Sequence, residues 1–536
     1  MSSPSTRSGA GPPPAADRRP GPSRRGAGAP VTHLAFQAGS RFDRPVEVEA
    51  DYVVVGTGAG GAAAAVVLAR GGASVAMVEA GPWRDPADYP ASMWGTLRDM
   101  MDGWGVNLAI GRALWPIVQA RLVGGTTVIN SAIAIRTPGE VVREWRDDHG
   151  FPDSDALAAA IWRHQDAIEA ELHVSPTPRA SAGRSNDLAA RAGAALDLND
   201  HAMHRAIRDC AGSGACMQGC KHDRKRSTNV TWVPEALAAG ATLLSCAPVA
   251  RVELRGRRAV GVRGAFVHPT DQRRGKRFVV RARKAVVIAA SATHSPALLH
   301  RSGIRSRALG RHFRAHPGVG VFGVYDTPVD MNSGATQGWS STALRATKGL
   351  KLETLAIPLE LVASRLGGAG SQLIGRLGDY RHLAMWAVAV RAEAVGRVVT
   401  TPTGKPVVFY DIGRRDMERL RDGAHVIAQM HAAAGARAIL PGVFGLPYSL
   451  APDELGKLAA GPTDPRAWTA IMTHLFGGCV MGADPRRAVC DPRGRVHGYD
   501  GLVVADASAL PTTLGVNPQH TIMALARVRA EELLAA

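Results

Sequence analysis

Three groups of residues have the types and spacing to do chemistry. Gly56, Gly58 and Gly61 form a G-x-G-x-x-G pattern, and Glu79 follows about twenty positions on. In such a pattern the first glycine permits a tight turn, the second lets backbone approach a pyrophosphate, and the third lets a helix pack close to a strand. The acidic residue can then accept hydrogen bonds from ribose hydroxyls. His474 opens the glycine-rich run "HLFGGCVMG". An imidazole with an ordinary pKa near 6.5 can move a proton, bind a metal or pack in a core, and this stretch alone leaves all three open. Cys210, Cys216 and Cys220 crowd into "CAGSGACMQGC". A structural zinc or iron–sulfur site wants four ligands, often with a C-x-x-C pair, and Ser213 stands where a further cysteine would complete the set. His204, His222 or Cys246 could fill the gap. The other reading is a reduced, structural loop, and no metal site is expected.

The elements that must hold these groups are legible nearby. Val53, Val54 and Val55 read as a buried parallel strand, "AAAAVVLAR" as the helix behind the glycines, and "ASVAMVE" as a second strand ending at Glu79. A carboxylate there disfavours a phosphorylated ribose. "AVVIAASA" (285–292) and "GLVVADAS" (501–508) are further apolar strands, and "VARVELRGRRAVGVRG" alternates like a hairpin. Asn517 precedes Pro518 and a strongly helical sequence. Asparagine favours the N-cap and proline the first helical position, so a helix should start there.

Length and composition bound the rest. A chain of 536 residues, 46% hydrophobic and 21% charged, is expected to form two domains, or one interrupted by another. No stretch approaches the roughly 18 apolar residues of a membrane span. Residues 1–45, rich in Pro, Gly, Ser and Arg, read as a disordered basic tail without the apolar core of an export signal. A cytoplasmic protein is expected, with the sequon at Asn229 idle. The net charge of +18 raises nucleic-acid binding, but the excess sits in the tail and in "RGRR" and "DQRRGKRF", which look like hairpin-tip loops. No aromatic-interleaved basic stripe accompanies it, so no nucleic-acid partner is expected.

"RLVGGTTVINSAIAIR" (121–136), "KAVVIAASATHSPALLHRSGI" (284–304), "GYDGLVVADASALPTTLGVNPQHTIMALA" (498–526), "HLFGGCVMG" and the N-terminal glycine motif together resemble the glucose–methanol–choline (GMC) family of FAD-dependent oxidoreductases. The resemblance implies an α/β fold. A Rossmann-like FAD-binding domain is assembled from residues 46–160, 225–312 and 470–536. An α+β substrate domain on an antiparallel sheet, with the cysteine loop, takes 161–224 and 313–469. It implies cofactor contacts from Gly124, Gly125 and Asn130, from the backbone of Val249 at adenine, and from Asp506 near the ribityl chain and pyrophosphate. The plainer alternative for Asp506 is a helix or turn cap. Ile129 stands where some relatives attach FAD through histidine, so noncovalent FAD is expected. The helix behind Pro518 would point its positive end at the flavin.

By the same resemblance His474 takes the catalytic histidine position and Asn517 the partner position. Oxidation of an alcohol removes a hydroxyl proton while a hydride leaves the adjacent carbon. Neutral imidazole can accept that proton, and the Asn517 amide can orient the alcohol oxygen. His520, one turn beyond Asn517, could approach the same region or pack. His316 reads as a structural residue at the domain junction, and His294 and His300 as structural.

The wording of these blocks is most similar to the bacterial long-chain alcohol and sterol oxidase branch, and the apolar inserted region favours a lipophilic alcohol. The alternatives are a sugar or polyol dehydrogenase passing electrons to a quinone or cytochrome, and a non-oxidative lyase or decarboxylase on the same fold. The electron acceptor, oxygen or another, and the oligomeric state are left open.

Overall fold

The computed structural model describes residues 32–40, 42–198 and 201–536. Its first sheet has eight strands. Thr32–Leu34, Thr242–Leu244, Val75–Val78, Val46–Val55 and Arg274–Ile288 lie parallel in that order. Arg274–Ile288 carries two neighbours on its far edge. Its first half pairs with the antiparallel hairpin Val249–Arg255/Arg258–Val267, and its last residues pair parallel with Leu502–Val504. Continuous apolar runs suit strands covered on both faces, and Val53, Val54, Val286, Val287 and Ile288 are fully buried.

The helix Ala59–Arg70 leaves the strand Val46–Val55 through Gly56, whose φ of +97° suits glycine. It packs closely because Gly61 has no side chain: a Cβ there would lie 1.9 Å from the Gly56 carbonyl oxygen. The C-terminal helix Gln519–Leu534 and the helix Ser154–Glu171 cover the same core.

The second sheet is antiparallel. It runs Ala438–Leu440, Arg314–Val324, Leu383–Val390, Leu350–Thr354, Trp339–Ser341 and His201–Ala202, with Ile471–Phe476 also paired to Arg314–Val324. The helix Arg414–Ala433 backs it through Met417, Leu420, Ala424 and Ile427, all fully buried. A Rossmann-like α/β body joined to an antiparallel substrate body is thus the architecture.

Three expectations are corrected. The tail does not extend to residue 45, because Thr32–Leu34 adds a parallel edge strand on Thr242–Leu244; residues 1–31 lie outside the described residues. A boundary at residue 160 falls inside the helix Ser154–Glu171, whose Ile161 and Ile168 belong to the first core. "RGRR" is a hairpin tip as expected, but "DQRRGKRF" is only half loop, since the strand starts at Arg274.

Candidate active site

The glycine turn and Glu79 meet at the ends of the paired strands Val46–Val55 and Val75–Val78. Glu79 Oε2 accepts from the Thr57 backbone N–H at 2.9 Å and from its hydroxyl at 2.7 Å, while Oε1 accepts from the Gly81 N–H at 3.0 Å. A carboxylate has about four acceptor positions, so one is left for a ribose hydroxyl. Burial raises the pKa of Glu79, against the three hydrogen bonds. Thr57 also accepts from the Gly124 N–H at 3.1 Å, which draws the loop 124–130 onto the glycine turn. A Cβ on Gly125 would stand 3.0 Å from the Gly58 Cα, so two bare backbones face one another there. Thr228 completes the clasp by donating to the carbonyls of Thr57 and Gly124. Thr57 and Thr228 were invisible to motif reasoning, which treats the first as a free position. This cradle of bare backbone with one acidic acceptor fits a dinucleotide.

Other expected cofactor residues are engaged by the protein itself. Asp506 accepts from the Ser291 N–H and Ser295 hydroxyl through Oδ2, and from the Ser508 N–H and hydroxyl through Oδ1. These four donors fill its acceptor positions, and its side chain caps the turn Ala507–Ala509. Burial raises its pKa. Asn130 donates to Gln519 Oε1 at 2.5 Å and accepts from the Ala132 N–H. The Val249 carbonyl takes an Arg301 N–H at 2.8 Å.

His474 and Asn517, 43 residues apart, come together with His474 Nε2 and Asn517 Nδ2 3.1 Å apart. Asn517 is not the helix cap: the helix begins at Gln519 with Pro518 in the cap position, and the Asn517 side chain turns to His474. His520 is elsewhere, buried and 3.3 Å from the Gln165 carbonyl. His294 pairs with Asp102 at 2.9 Å.

His316 adjoins this pair. It sits directly across from His474 on the neighbouring antiparallel strand, with the two Nδ1 atoms 3.2 Å apart. Its Nε2 faces the Gly515 N–H at 3.0 Å. Burial is the first cause that lowers both rings, His474 to about 4 and His316 well below its usual value; Glu353 raises His474 and Lys351 lowers it. Both rings are therefore neutral at physiological pH, and their tautomers follow from the hydrogen bonds. A backbone N–H can only donate, so His316 Nε2 accepts and its proton is on Nδ1. That proton points at His474 Nδ1, which must accept, leaving the His474 proton on Nε2. A half-turn of the Asn517 amide lets Oδ1 receive that N–H, and Oδ1 is otherwise buried without a partner. The resting His474 therefore presents a donor where sequence reasoning expected a free acceptor.

Among the described residues no group of three His, Cys, Asp or Glu is placed to hold a metal, and the six cysteines are free.

Residues 50–318 and 392–526 match the two GMC oxidoreductase family models. A GMC-type oxidoreductase of Mycobacterium tuberculosis is 34% identical over 504 residues, covering 92% of this chain and 77% of the relative. A long-chain-alcohol oxidase of Arabidopsis thaliana is 27% identical over 518 residues, covering 90% and 66%. Pyridoxine 4-oxidase from Mesorbium loti superposes with a TM-score of 0.67 at 19% identity, covering 90% of this chain and 98% of that one. Formate oxidase of Aspergillus oryzae, in which a substitution affects modification of the FAD, superposes with a TM-score of 0.68 at 14% identity, covering 92% and 99%.

Proposed function

The chain belongs to the GMC oxidoreductase family and uses FAD, and from that premise we propose that it oxidises a lipophilic alcohol to an aldehyde or ketone at His474 and Asn517. The observation that carries this reading is their 3.1 Å approach, with the Asn130–Gln519 hydrogen bond tying the loop of the glycine cradle to the helix that follows Asn517. FAD supplies the hydride acceptor. The protein's residues must grip the alcohol oxygen and take its proton.

Asn517 is suited to the grip, because an amide neither loses nor gains a proton and can direct the oxygen. His474 is suited to the proton, but only under a condition. To accept at Nε2 it must carry its own proton on Nδ1. His316 must then accept through Nδ1 and bear its proton on Nε2, where it meets the Gly515 N–H. Opening the Gly515–His316 hydrogen bond is thus the step that converts His474 from donor to base. Arg345 and Arg391 hold the Leu514 and Thr513 carbonyls just before Gly515.

A lipophilic substrate is supported by the long-chain-alcohol oxidases of Arabidopsis thaliana among the relatives, and by the apolar inserted region. The test is anaerobic bleaching of the flavin by a panel of fatty, aromatic, sterol and sugar alcohols. Bleaching by fatty or sterol alcohols is the expected result; bleaching by sugars alone rejects the substrate class, and bleaching by none rejects the reaction. Admitting air afterwards tells oxygen from another acceptor. Among the described residues no helix is long and apolar enough to cross a membrane.

A further inference from the structure

The face of the antiparallel sheet turned away from the helix Arg414–Ala433 is floored with small residues. Alternation puts His316, Gly318 and Gly320 on that face of one strand. The register sets Gly318 and Gly320 against Ala389 and Ala387, and these two against Lys351 and Glu353. On the other side His474 lies across from His316. Residues in the central strands of a covered sheet are normally buried, yet Gly318, Gly320 and Ala389 are only partly so. A Cβ on Gly318 would meet no side chain within 4 Å. A cleft therefore lies over this face, with His474 at one end and Lys351 and Glu353 at the other.

Lys351 is 1% exposed and Glu353 8%, and Lys351 Nζ donates to Glu353 Oε2. An ammonium has three N–H groups and a carboxylate about four acceptor positions. Among the described residues neither side chain makes a second hydrogen bond, so the pair is neutral as a whole but keeps spare donors and acceptors. Apolar side chains of similar volume would hold a sheet as well, so packing does not account for two buried charges here. Both act on His474, Glu353 raising its pKa and Lys351 lowering it, as charges sharing its cavity would. A ligand carboxylate would be repelled by Glu353 and an ammonium by Lys351. A hydroxyl can accept from the one and donate to the other.

We propose that Lys351 and Glu353 are a second recognition point for the substrate, gripping a hydroxyl that the alcohol carries at the far end of an apolar body. This deepens the reading of His474 and Asn517 given above and rests on it. Three strand spacings, about 14 Å, separate the strand of His474 from that of Lys351, and both side chains reach into the gap, so the two hydroxyls lie on the order of 10 Å apart. Between them Gly318, Ala387 and Ala389 offer no polar side chain, which is why the body joining the hydroxyls must be apolar. One hydroxyl is oxidised at the flavin; the other is held and left unchanged.

The experiment follows anaerobic flavin reduction in the holoenzyme by primary alcohols of increasing chain length and by the α,ω-diols of the same lengths. At the length that spans the cleft the diol should be favoured in kcat/KM by about tenfold or more, the worth of a hydrogen bond to a charged group, beyond the twofold that two equivalent ends give. The double variant Lys351→Met/Glu353→Leu removes both charges and leaves neither unpaired, and there the ratio should fall to that twofold. A preference that survives in the double variant would overturn the proposal. If that variant fails to fold, the length series on the unaltered protein still decides. Reduction by mono-alcohols with no diol preference at any length overturns this inference and spares the reaction at His474; reduction by neither overturns both.

Discussion

His316 and His474 face one another across antiparallel strands with Nδ1 atoms 3.2 Å apart, and the Gly515 N–H on the far side of His316 fixes which ring carries which proton. One backbone hydrogen bond thereby sets the state of a side chain two residues away in the relay. His316→Leu should keep FAD, because no dinucleotide contact is lost, yet slow flavin reduction by about 10–100-fold through loss of ring orientation. His316→Gln keeps one amide acceptor and one amide donor, and with its Oε1 turned to receive the His474 Nδ1–H that the base form needs it should recover most of the rate. Equal loss in both variants would reduce His316 to a packing residue.

His474→Ala removes the proton acceptor while leaving the glycine cradle intact. Turnover should fall by about 10²–10⁴-fold, the usual worth of general acid–base catalysis, with the flavin spectrum retained. Asn517→Ala should cost less and act on orientation. Near-normal turnover in His474→Ala would sink the proposed reaction.

The acid limb of kcat/KM reports the free His474 ring. Burial lowers it to about 4, so the neutral form should persist well below the ordinary histidine value. Activity should hold as pH falls past 6.5 and decline only as it passes through about 4, wherever the fold survives. A limb near 6.5 would mean that water reaches the ring freely.

Much of this site can be traced to short stretches of sequence. Gly56, Gly61 and Glu79 lie within one βαβ unit, where spacing and chemistry are tied together by local geometry. Long-range pairing is what hid the rest. His316 meets His474 only because two strands separated by 158 residues align in register, and nothing in "GRHFRAHPG" encodes that register. Asn517 looked like a cap because Asn-Pro before a helix usually is one; here Pro518 takes that place and frees the amide. Asp506 shows the reverse, since hydroxyl donors from Ser295 and Ser508 fill a carboxylate that a motif alone would assign to the cofactor.

Histidines held neutral by the fold should make it acid-sensitive. His474 and His520 are lowered to about 4, His431 to about 3 and His316 well below its usual value, each first by burial. His431 lies stacked on Trp386 at 3.9 Å, with Nε2 at the Val321 carbonyl and Nδ1 at the Tyr325 hydroxyl, away from water. The unfolded chain binds these protons below about 6.5 and the folded chain refuses them, so stability is present above that value and lost as pH falls toward 4. Each contributes about 1.4 kcal/mol per pH unit in that window. Urea midpoints at pH 7 and pH 5.5 test this, and an unchanged midpoint would contradict it.

Gly60 separates motif from geometry most sharply. G-x-G-x-x-G leaves position 60 free, yet a Cβ on Gly60 would lie 1.9 Å from the Ala505 carbonyl oxygen, next to Asp506. That contact is to backbone, which cannot swing aside as a side chain would, so Gly60→Ala must push the first helix away from the strand Leu502–Val504. Gly58 is the contrast: its Cβ would come no closer than 3.9 Å, to Gly125, in the space where backbone faces the dinucleotide. Gly58→Ala should therefore fold normally and lose FAD affinity alone, while Gly60→Ala should lose stability and FAD together. Thermal melting and flavin content measured on both proteins distinguish the two, and a stable, FAD-saturated Gly60→Ala would show that the helix has slack the packing here does not allow.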